Sequence, residues 1–458
     1  MRIELVGSRR RRRRKLRPTG LASARRPIGL VGARRPLGVT GGRSFRTGTR
    51  RRVSLPSVRW VALPALVIVF VGLVYVAFAL LRPVPGTTTF AAPRASSFGG
   101  RPPALAWPAQ GEAAVGVRGA GLIGVHGSGR PTPIASIAKV MTAYVILEDH
   151  PLSGPAGGPQ ITVDPGDVAA YRADNAAGQS VVAVRAGERL TERQALEGLL
   201  LPSGNNIATL LARWDAGGQE AFVAKMNSQA RALGLIHTRY TDASGVQPGT
   251  VSTAADQVAL GVAVMALPAF RQTVAMTQAT LPVAGLQYNL DKLVGRHGIV
   301  GIKTGTTSQA GGCFLFATQE QVAGRPVTVV GAVLHQLATS SQPSMITAAF
   351  SAATRLAYST RGVLVTRKVI TRGTPLGWVK APWSDQVALV ATRSASFVGW
   401  PGLPVHASVA IARLRPPVDT GQDAGTVVLA SGRQRATVAL VASAAIPDAS
   451  FSWRLAHP

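Results

Sequence analysis

The stretch PIASIAKVMTA, residues 133–143, places Ser136 and Lys139 three positions apart, where an apolar helix is predicted to begin. Residues three apart lie on one face of a helix, so the lysine amine can point at the serine hydroxyl. The spacing alone does not distinguish a catalytic pair from a surface serine followed by a solvated lysine. That distinction requires polar motifs from other parts of the chain.

Two further polar triplets accompany this pair. Ser203-Gly204-Asn205 lies between two predicted helical segments in LLPSGNNIATLLA, and Lys303-Thr304-Gly305 lies on or beside a predicted strand in GIKTGTTSQAGGCFLF. The order Ser-x-x-Lys, Ser-x-Asn, Lys-Thr-Gly is nearly the motif set of penicillin-binding proteins and class A β-lactamases. The three motifs together favour a catalytic role for Ser136 and Lys139.

The chain resembles the D-alanyl-D-alanine carboxypeptidases, the low-molecular-mass penicillin-binding proteins, over more than these triplets. The similarity runs from about Ala104 to Ser359 and includes RAGERLTERQALEGLLLPSGNN, MNSQARALGL, DASG followed by STAADQVAL, and GIKTGTTSQAGGC. Many members have Asp directly after Ser-Gly-Asn, where this chain has Asn206, so local hydrogen bonding there stays open. Many members are also tethered by a C-terminal amphipathic helix, whereas this chain carries an apolar segment near its N-terminus.

The resemblance and simple chemistry assign the first motif. Serine is a poor nucleophile at its ordinary pKa and requires a nearby base, so Ser136 is the predicted nucleophile and Lys139 the general base. Lysine acts as a base only when it is neutral. Burial and a second cation, Lys303, would both lower the pKa of Lys139. We therefore expect Lys139 to be largely neutral in the folded protein.

The other two motifs are expected to complete the site. Ser203 and Asn205 are predicted catalytic residues on the opposite wall, where they relay protons and hold the substrate amide. Lys303 and Thr304 are expected to bind the terminal carboxylate of a peptide. Gly305 allows close approach of the backbone beside the strand.

By the same resemblance, the backbone N–H groups of Ser136 and Thr306 form the oxyanion hole, so Thr306 joins the substrate-binding residues. The implied reaction is attack on the penultimate D-Ala carbonyl of a peptidoglycan pentapeptide, loss of the terminal D-Ala, and hydrolysis of the acyl-serine. β-Lactams are the implied covalent inhibitors. No cofactor and no metal are expected, since the seven histidines show no metal-ligand spacing.

Several other reactive residue types are predicted to be structural. The single cysteine, Cys313, lies in the apolar run GGCFLFA and is predicted to be a core residue. Asp174 and Asp242 are predicted turn or cap residues. No E-x-x-L-N sequence occurs between Ser203 and Lys303, and without that glutamate rapid β-lactam hydrolysis is disfavoured.

The formal charge of +30 is concentrated at the N-terminus, where residues 1–59 hold 18 Arg and one Lys against one Glu. This tail has too little apolar content to fold alone, so we expect it to be disordered and cytoplasmic. It lacks the interleaved aromatic side chains that favour stacking on bases, and no nucleic-acid partner is predicted. Its expected effects are control of topology and attraction to anionic lipid.

The segment 60–81, WVALPALVIVFVGLVYVAFALL, carries no charged residue and is long enough to cross a bilayer. The positive-inside rule puts the N-terminus in the cytoplasm and the catalytic part on the outer side of the cell membrane. A cleaved signal peptide is the alternative, because Ala77-Phe78-Ala79 has the small-x-small form of a cleavage site. These residues lie inside the apolar run, so we expect an uncleaved single-pass anchor.

The rest of the chain divides by composition. Residues 82–103 predict a flexible linker, residues 104–360 a catalytic domain with an α+β, β-lactamase/transpeptidase-like fold, and residues 361–458 a small β-sandwich. Strands at both ends of the catalytic part, with helices between them, predict an antiparallel sheet packed by a helical cluster. The run GQSVVAV, residues 178–184, is a further predicted strand.

Two alternatives remain open from the sequence. A D,D-endopeptidase or a β-lactamase of the same fold would share the three motifs, which do not separate carboxypeptidase from endopeptidase cleavage. A non-catalytic membrane scaffold, with a basic tail that recruits cytoplasmic partners, would not require a reactive Ser136.

Overall fold

The computed structural model describes residues 59–92 and 96–457. The arginine-rich tail predicted over residues 1–59 therefore lies outside the described residues, apart from Arg59. A short 3-10 helix, Ala135–Ala138, leads into the second α-helix. Within the described residues the α-helices are α1 (Arg59–Leu81), α2 (Lys139–Asp149), α3 (Pro165–Ala176), α4 (Glu192–Leu200), α5 (Asn205–Ala216), α6 (Gln219–Ala232), α7 (Ala254–Val264), α8 (Pro268–Val274), α9 (Met345–Thr360) and α10 (Phe451–Ala456).

The strands pair in antiparallel ladders. In chain order they are β1 (Thr88–Ala91), β2 (Ser96–Ser97), β3 (Glu112–Val117), β4 (Gly121–His126), β5 (Thr132–Pro133), β6 (Gln160–Thr162), β7 (Arg189–Thr191), β8 (Val251–Ser252), β9 (Gln278–Leu281), β10 (Gly285–Tyr288), β11 (Ile299–Thr307), β12 (Gly311–Val322), β13 (Arg325–Gln336), β14 (Val365–Ile370), β15 (Pro375–Lys380), β16 (Val387–Ala391), β17 (Ala395–Gly399), β18 (Pro404–Ile411), β19 (Asp423–Ser431) and β20 (Gln434–Ala442).

The apolar segment predicted at residues 60–81 forms the single helix α1. Most of its large apolar side chains between Leu63 and Leu81 are exposed, as expected of a helix without a polar face. Among the described residues, it is the one helix that is long and apolar enough to cross a bilayer by itself. The chain divides into two compact units between Leu73 and Val74, inside this helix, and the second unit contains the elements that follow.

A five-stranded antiparallel sheet, in the order β11-β12-β13-β3-β4, lies within residues 104–360. Successive residues of a strand point to opposite faces. Ala114 accordingly packs with the cluster of helices that includes α2, α4 and α7, whereas Ala113 and Val115 pack towards α9. The predicted antiparallel sheet with a helical cluster is confirmed, and α9 forms a layer on its other face.

The C-terminal region contains a seven-stranded sheet in the order β1-β15-β16-β20-β19-β18-β2. Its two edge strands are separated by only five residue steps, from Ala91 to Ser96, which span about 17 Å when extended. Seven strands laid flat would put those edges about 29 Å apart, so the sheet must curl. Consistent with this, the Thr87 hydroxyl beside β1 donates a hydrogen bond to the carbonyl of Leu414, which follows β18.

The curled sheet packs against the small two-stranded sheet formed by β14 and β17. Ile370 and Phe397 of the small sheet share one buried cluster with Val405 and Leu440 of the curled sheet. The β-rich C-terminal region predicted from short, regularly spaced strands therefore packs as two layers, as a sandwich does.

Residues 82–103 differ from the flexible linker that the sequence predicts. Thr88–Ala91 pairs with β15, so that Phe90 lies opposite Trp378, and Ser96–Ser97 pairs with β18. Phe98 is only 2% exposed. The Gly, Pro and Ser content of the segment is typical of a linker. The segment is ordered because two open sheet edges and one apolar pocket elsewhere in the chain provide partners for it.

Candidate active site

The Ser-x-x-Lys motif spans the junction of the 3-10 helix and α2. Ser136 lies in the 3-10 turn and is half-buried, whereas Lys139 is the first residue of α2 and is fully buried. Ala135, directly before the serine, has a left-handed φ of 48°, which is a strained conformation for a residue with a Cβ. The two side chains meet on this tighter turn, with Ser136 Oγ 2.8 Å from Lys139 Nζ.

The environment of Lys139 favours a neutral amine. Burial lowers the pKa of Lys139 well below the ordinary lysine value, and the charge of Lys303 lowers it further. Asp242 and Asp174 oppose these two effects by smaller amounts. No carboxylate forms an ion pair with Lys139 among the residues that the structure describes.

The hydrogen-bond partners of Lys139 suit this neutral state. Besides Ser136 Oγ, its Nζ lies 2.6 Å from Asn205 Oδ1 and 2.9 Å from the carbonyl oxygen of Ser244. Both of these oxygens can only accept, so the two N–H groups of a neutral amine donate to them. The remaining lone pair of Lys139 then faces the Ser136 hydroxyl, which donates its proton. This is the arrangement that a general base requires.

The Ser-x-Asn motif lies at the start of α5. Asn205 Nδ2 donates to Gln179 Oε1 at 2.7 Å, and the Asn205 backbone N–H donates to the Ser180 carbonyl at 2.8 Å. These bonds hold Asn205 Oδ1 against Lys139. Ser203 has a left-handed φ of 67° and is 2% exposed, and its Oγ has no partner among the described residues. A buried, unpaired hydroxyl beside a cleft is available to a substrate group.

Asn206 fixes the segment that precedes α4. Many members of the family that the sequence resembles have Asp at this position. Its Oδ1 accepts from the Val182 N–H at 2.9 Å and its Nδ2 donates to the Val182 carbonyl at 2.8 Å. An ionised Asp could accept but not donate. The strand predicted for residues 178–184 is wrong, because this segment pairs with the Asn206 side chain and has no neighbouring strand.

The Lys-Thr-Gly motif lies within β11, at the edge of the five-stranded sheet. Lys303 is 1% exposed, and its Nζ donates to the Thr304 carbonyl at 3.2 Å. Burial lowers the pKa of Lys303 to about 7, although the charge of Asp291 opposes this shift. Burial in turn raises the pKa of Asp291 to about 6. Burial therefore lowers the pKa of both lysines of the site.

Gly305 sets the distance between β11 and the serine turn. A Cβ at this position would lie 2.9 Å from the Ser136 backbone nitrogen and 3.1 Å from Ala135 Cβ. The glycine is thus required for close approach and not for its φ angle. It brings the Ser136 N–H beside the strand that continues into Thr306, which is exposed at the mouth of the cleft.

Asp242 is a turn residue, as predicted, but it also positions Lys139. Its carboxylate accepts from the Ser244 hydroxyl at 2.6 Å, the Thr250 hydroxyl at 2.6 Å and the Val246 N–H at 2.9 Å. This turn presents the Ser244 carbonyl to Lys139. The sequence signal was the DASG segment, whose Asp and Gly indicate a turn but not its target.

The eight predicted residues come together around one cleft of about 310 Å³. Five of them line it, while Lys139, Asn205 and Lys303 lie buried. Sequence reasoning missed half of the lining, and the missed residues come from three separate segments of the chain. The complete lining is Ser136, Ser180, Ser203, Leu290, Lys292, Thr304, Gly305, Thr306, Ile346 and Phe350.

Cys313 is buried in β12, as predicted, and burial raises the pKa of its thiol to about 12. A thiol in this state is not a nucleophile. In residues 59–92 and 96–457, no three His, Cys, Asp or Glu side chains come together as metal ligands.

Comparison with known proteins gives the same assignment for this part of the chain. The family model described as D-alanyl-D-alanine carboxypeptidase matches residues 125–334. A D-alanyl-D-alanine carboxypeptidase of Mycobacterium tuberculosis is 40% identical over 192 residues, which cover 40% of this chain and 62% of that protein. A second, from a Streptomyces species, is 32% identical over 216 residues, which cover 43% of this chain and 71% of that protein.

Among solved structures, penicillin-binding protein 5 of Haemophilus influenzae is similar with a TM-score of 0.54 at 20% identity. The match covers 76% of this chain and all of that one, so the shared fold includes strands beyond the catalytic part. This likeness concerns the fold alone. The Streptomyces relative, matched over 71% of its length at 32% identity, shows that this chain belongs to the D-alanyl-D-alanine carboxypeptidase family.

Proposed function

We propose that this protein is a serine-type D-Ala-D-Ala carboxypeptidase that removes the terminal D-Ala from peptidoglycan stem peptides through an acyl-serine intermediate. The observation that carries the proposal is the 2.8 Å contact between Ser136 Oγ and the Nζ of a fully buried Lys139. A buried lysine with a lowered pKa can act as the base for a serine that it contacts in a cleft. The serine is then the activated nucleophile.

Acylation begins with Ser136. The Ser136 hydroxyl gives its proton to the Lys139 lone pair as Oγ bonds to the carbonyl carbon of the penultimate D-Ala. The resulting oxyanion lies near the Ser136 and Thr306 backbone N–H groups, and such donors each contribute roughly 3–4 kcal/mol to transition-state stabilisation. The C–N bond then breaks, and the proton is delivered to the leaving amine, with the free Ser203 hydroxyl as the relay.

Substrate binding depends on the second lysine. At neutral pH a large fraction of Lys303 is protonated, since its pKa is about 7. Its positive charge and the Thr304 hydroxyl receive the terminal carboxylate of the peptide. The carboxylate in turn favours the charged form of Lys303, so substrate binding strengthens the difference between a charged Lys303 and a neutral Lys139.

In deacylation, water is the nucleophile and Ser136 Oγ is the leaving group. Once the terminal D-Ala leaves, a water molecule loses a proton to Lys139 and attacks the acyl-serine carbonyl. The Ser136–acyl bond breaks, and Ser136 Oγ recovers its proton. β-Lactams acylate the same serine, and the chain offers no glutamate of the E-x-x-L-N type to hydrolyse that adduct rapidly.

The proposed location is the outer side of the cell membrane. The apolar helix α1, preceded by the arginine-rich tail, supports a single-pass anchor with a cytoplasmic N-terminus. In this arrangement, residues 104–360 act on the pentapeptide, the β-rich residues 361–458 accompany them, and the basic tail lies near anionic lipid.

The test uses the full chain in detergent. A fluorescent penicillin should label the protein at Ser136, and Ser136→Ala should not be labelled. Mass spectrometry of muropeptides should then show release of one D-Ala from pentapeptides. Cleavage of cross-linked dimers without D-Ala release would assign the endopeptidase reaction, and absence of labelling in folded protein would exclude a penicillin-binding serine enzyme.

A further inference from the structure

The cleft contains one charged side chain that the proposed reaction does not use. Of the ten residues that line it, Lys292 alone is charged, and no carboxylate lines the cleft. Lys292 is exposed. Within the described residues it has no hydrogen-bond or ion-pair partner, so its ammonium is available to a ligand.

The loop that carries Lys292 is held rigidly by its neighbours. Asn289 Nδ2 donates to the Met276 carbonyl at 2.8 Å, and Asn289 Oδ1 accepts from the Asp291 N–H at 2.8 Å. Asp291 Oδ1 accepts from the Leu293 N–H at 2.9 Å. These bonds fix the backbone on both sides of Lys292, so little backbone order is lost when a ligand binds.

The neighbouring carboxylate does not neutralise this cation. Asp291 is 4% exposed, and its side chain is directed into the protein, where its charge raises the pKa of the buried Lys303. Lys292 points instead to the cleft, next to Leu290. The adjacent Asp and Lys therefore serve opposite sides of the loop.

We propose that Lys292 is a specificity-determining residue, whose ammonium binds a carboxylate on the residue that precedes the two D-alanines of the substrate. This inference rests on the proposed function. Lys303 and Thr304 receive the terminal carboxylate, and both D-Ala side chains are methyl groups. A second substrate anion can therefore lie only upstream of the scissile pair.

The same arrangement selects against a cationic upstream side chain. Such a group would meet Lys292 without any carboxylate in the cleft lining to offset the repulsion. Leu290, Ile346 and Phe350 offer apolar contact to the aliphatic part of that side chain. The preferred substrate class is thus a stem peptide whose third residue has an aliphatic side chain ending in a free carboxylate.

Three synthetic peptides test this preference in the full chain. Each ends in D-Ala-D-Ala, and the preceding residue is Nα-acetyl-2-aminoadipyl, Nα,Nε-diacetyl-lysyl or Nα-acetyl-lysyl, with negative, neutral or positive side chains of similar length. We expect kcat/KM to fall in that order, with the first and last about tenfold apart. The ratio should shrink in high salt, since the ion pair is exposed.

Variants separate this role from a structural one. Lys292→Gln should bring the three kcat/KM values close together, and Lys292→Glu should reverse their order. Lys368→Glu, which makes the same charge change on β14 outside the cleft, should keep the original order. Labelling by fluorescent penicillin shows that each variant is folded with a reactive Ser136.

The two proposals fail in different ways. If the wild-type protein cleaves none of the peptides, the proposed function is wrong. If it cleaves them but Lys292→Glu keeps the original order, or Lys368→Glu changes the order as much as Lys292→Glu does, the role of Lys292 is wrong.

Discussion

The catalytic part and the C-terminal β-rich region place their charges differently. Residues 104–360 contain 17 Lys and Arg and 15 Asp and Glu, and several of these are buried, including Lys139, Lys303 and Asp291. Residues 361–458 contain eleven Lys and Arg and four Asp, and none of those that the structure describes is buried. Residues 361–458 have the higher proportion of charged residues, yet they bury none of the charged side chains that the structure describes.

This difference shows what a buried charge indicates. Exposed charges retain their hydration and need no partner, whereas a buried lysine must be paired or must shift its pKa. Among the residues that the structure describes, no carboxylate is in ion-pair contact with Lys139 or Lys303, and burial lowers the pKa of both. Burying these two lysines lowers the stability of the fold. In the active site, the same burial produces a base and a cation that binds an anion.

The largest effect is expected at Lys139. Lys139→Met removes the amine but keeps most of the side-chain volume, so acylation of Ser136 by fluorescent penicillin should slow by about 10³-fold. Lys368→Met, on the exposed face of β14, should leave the rate unchanged. Time-resolved gel fluorescence gives both rates. Equal rates for the two variants would mean that burial of Lys139 serves no catalytic purpose.

Loss of the packing between residues 82–103 and the C-terminal region should lower the stability of the fold but should not change the reaction of Ser136. Phe98→Ala removes a buried ring beside β2 and should lower the free energy of unfolding by about 3–5 kcal/mol. Penicillin labelling under native conditions should persist. Phe451→Ala, at a ring that is 56% exposed, is the matched control, with an effect within about 0.5 kcal/mol. Urea unfolding that is the same for both would show that residues 82–103 act as a linker after all.

Gly305→Ala tests the contact between β11 and the serine turn. The added Cβ would lie 2.9 Å from the Ser136 nitrogen, so the strand and the turn must separate. A displacement of about 1 Å at the reacting groups costs on the order of 10²-fold in rate. Gly166→Ala in α3, where a Cβ meets no atom, should leave kcat unchanged. A fully active Gly305→Ala enzyme would contradict the need for close approach.

The two buried lysines predict a specific pH profile. Lys139 must be neutral, so kcat/KM should rise as the pH passes its lowered pKa. Lys303 must be charged, so kcat/KM should fall by up to about tenfold per pH unit above its pKa of about 7. Lys303→Arg keeps the charge at all these pH values and should remove the alkaline limb. An alkaline limb that persists in this variant would belong to another group.

Glu192 predicts a smaller effect, on stability. It is fully buried, and its carboxylate oxygens have no partners among the described residues. Burial raises its pKa from 4.5 to about 7. The folded state thus binds the proton more tightly, and stability falls as the pH rises from 4.5 through 7. Glu192→Gln should add about 1–2 kcal/mol at pH 8, whereas the exposed Glu148→Gln should not. Thermal unfolding at pH 5 and pH 8 measures the difference.

Much of the site follows from local sequence. Ser136 and Lys139 share one turn, and Lys303 to Thr306 follow one another in β11, so their grouping within each motif needs only the geometry of a helix or a strand. The capping box of Thr191 with Gln194 and the Thr253 cap likewise join residues only three positions apart. Short-range geometry explains why these predictions succeed.

Other features depend on partners that are distant in the chain. The run at 178–184 has the pattern of a strand, yet its partner is the Asn206 side chain. Residues 82–103 have the composition of a linker, yet they complete two sheet edges 280 or more residues away in the sequence. Local pattern cannot identify such partners, because it reports only what a segment would do beside a suitable neighbour.

The sequence by itself determined the family, the fold class, the apolar N-terminal helix and the identity of the motif residues. The tertiary structure decided the states of those residues. It buries Lys139 and Lys303 near each other and turns the Ser244 carbonyl towards the first. It also leaves Lys292, which lines the cleft, without a charged partner among the described residues. A pKa and a binding preference depend on burial and on neighbouring charges, and those exist only once distant segments have packed.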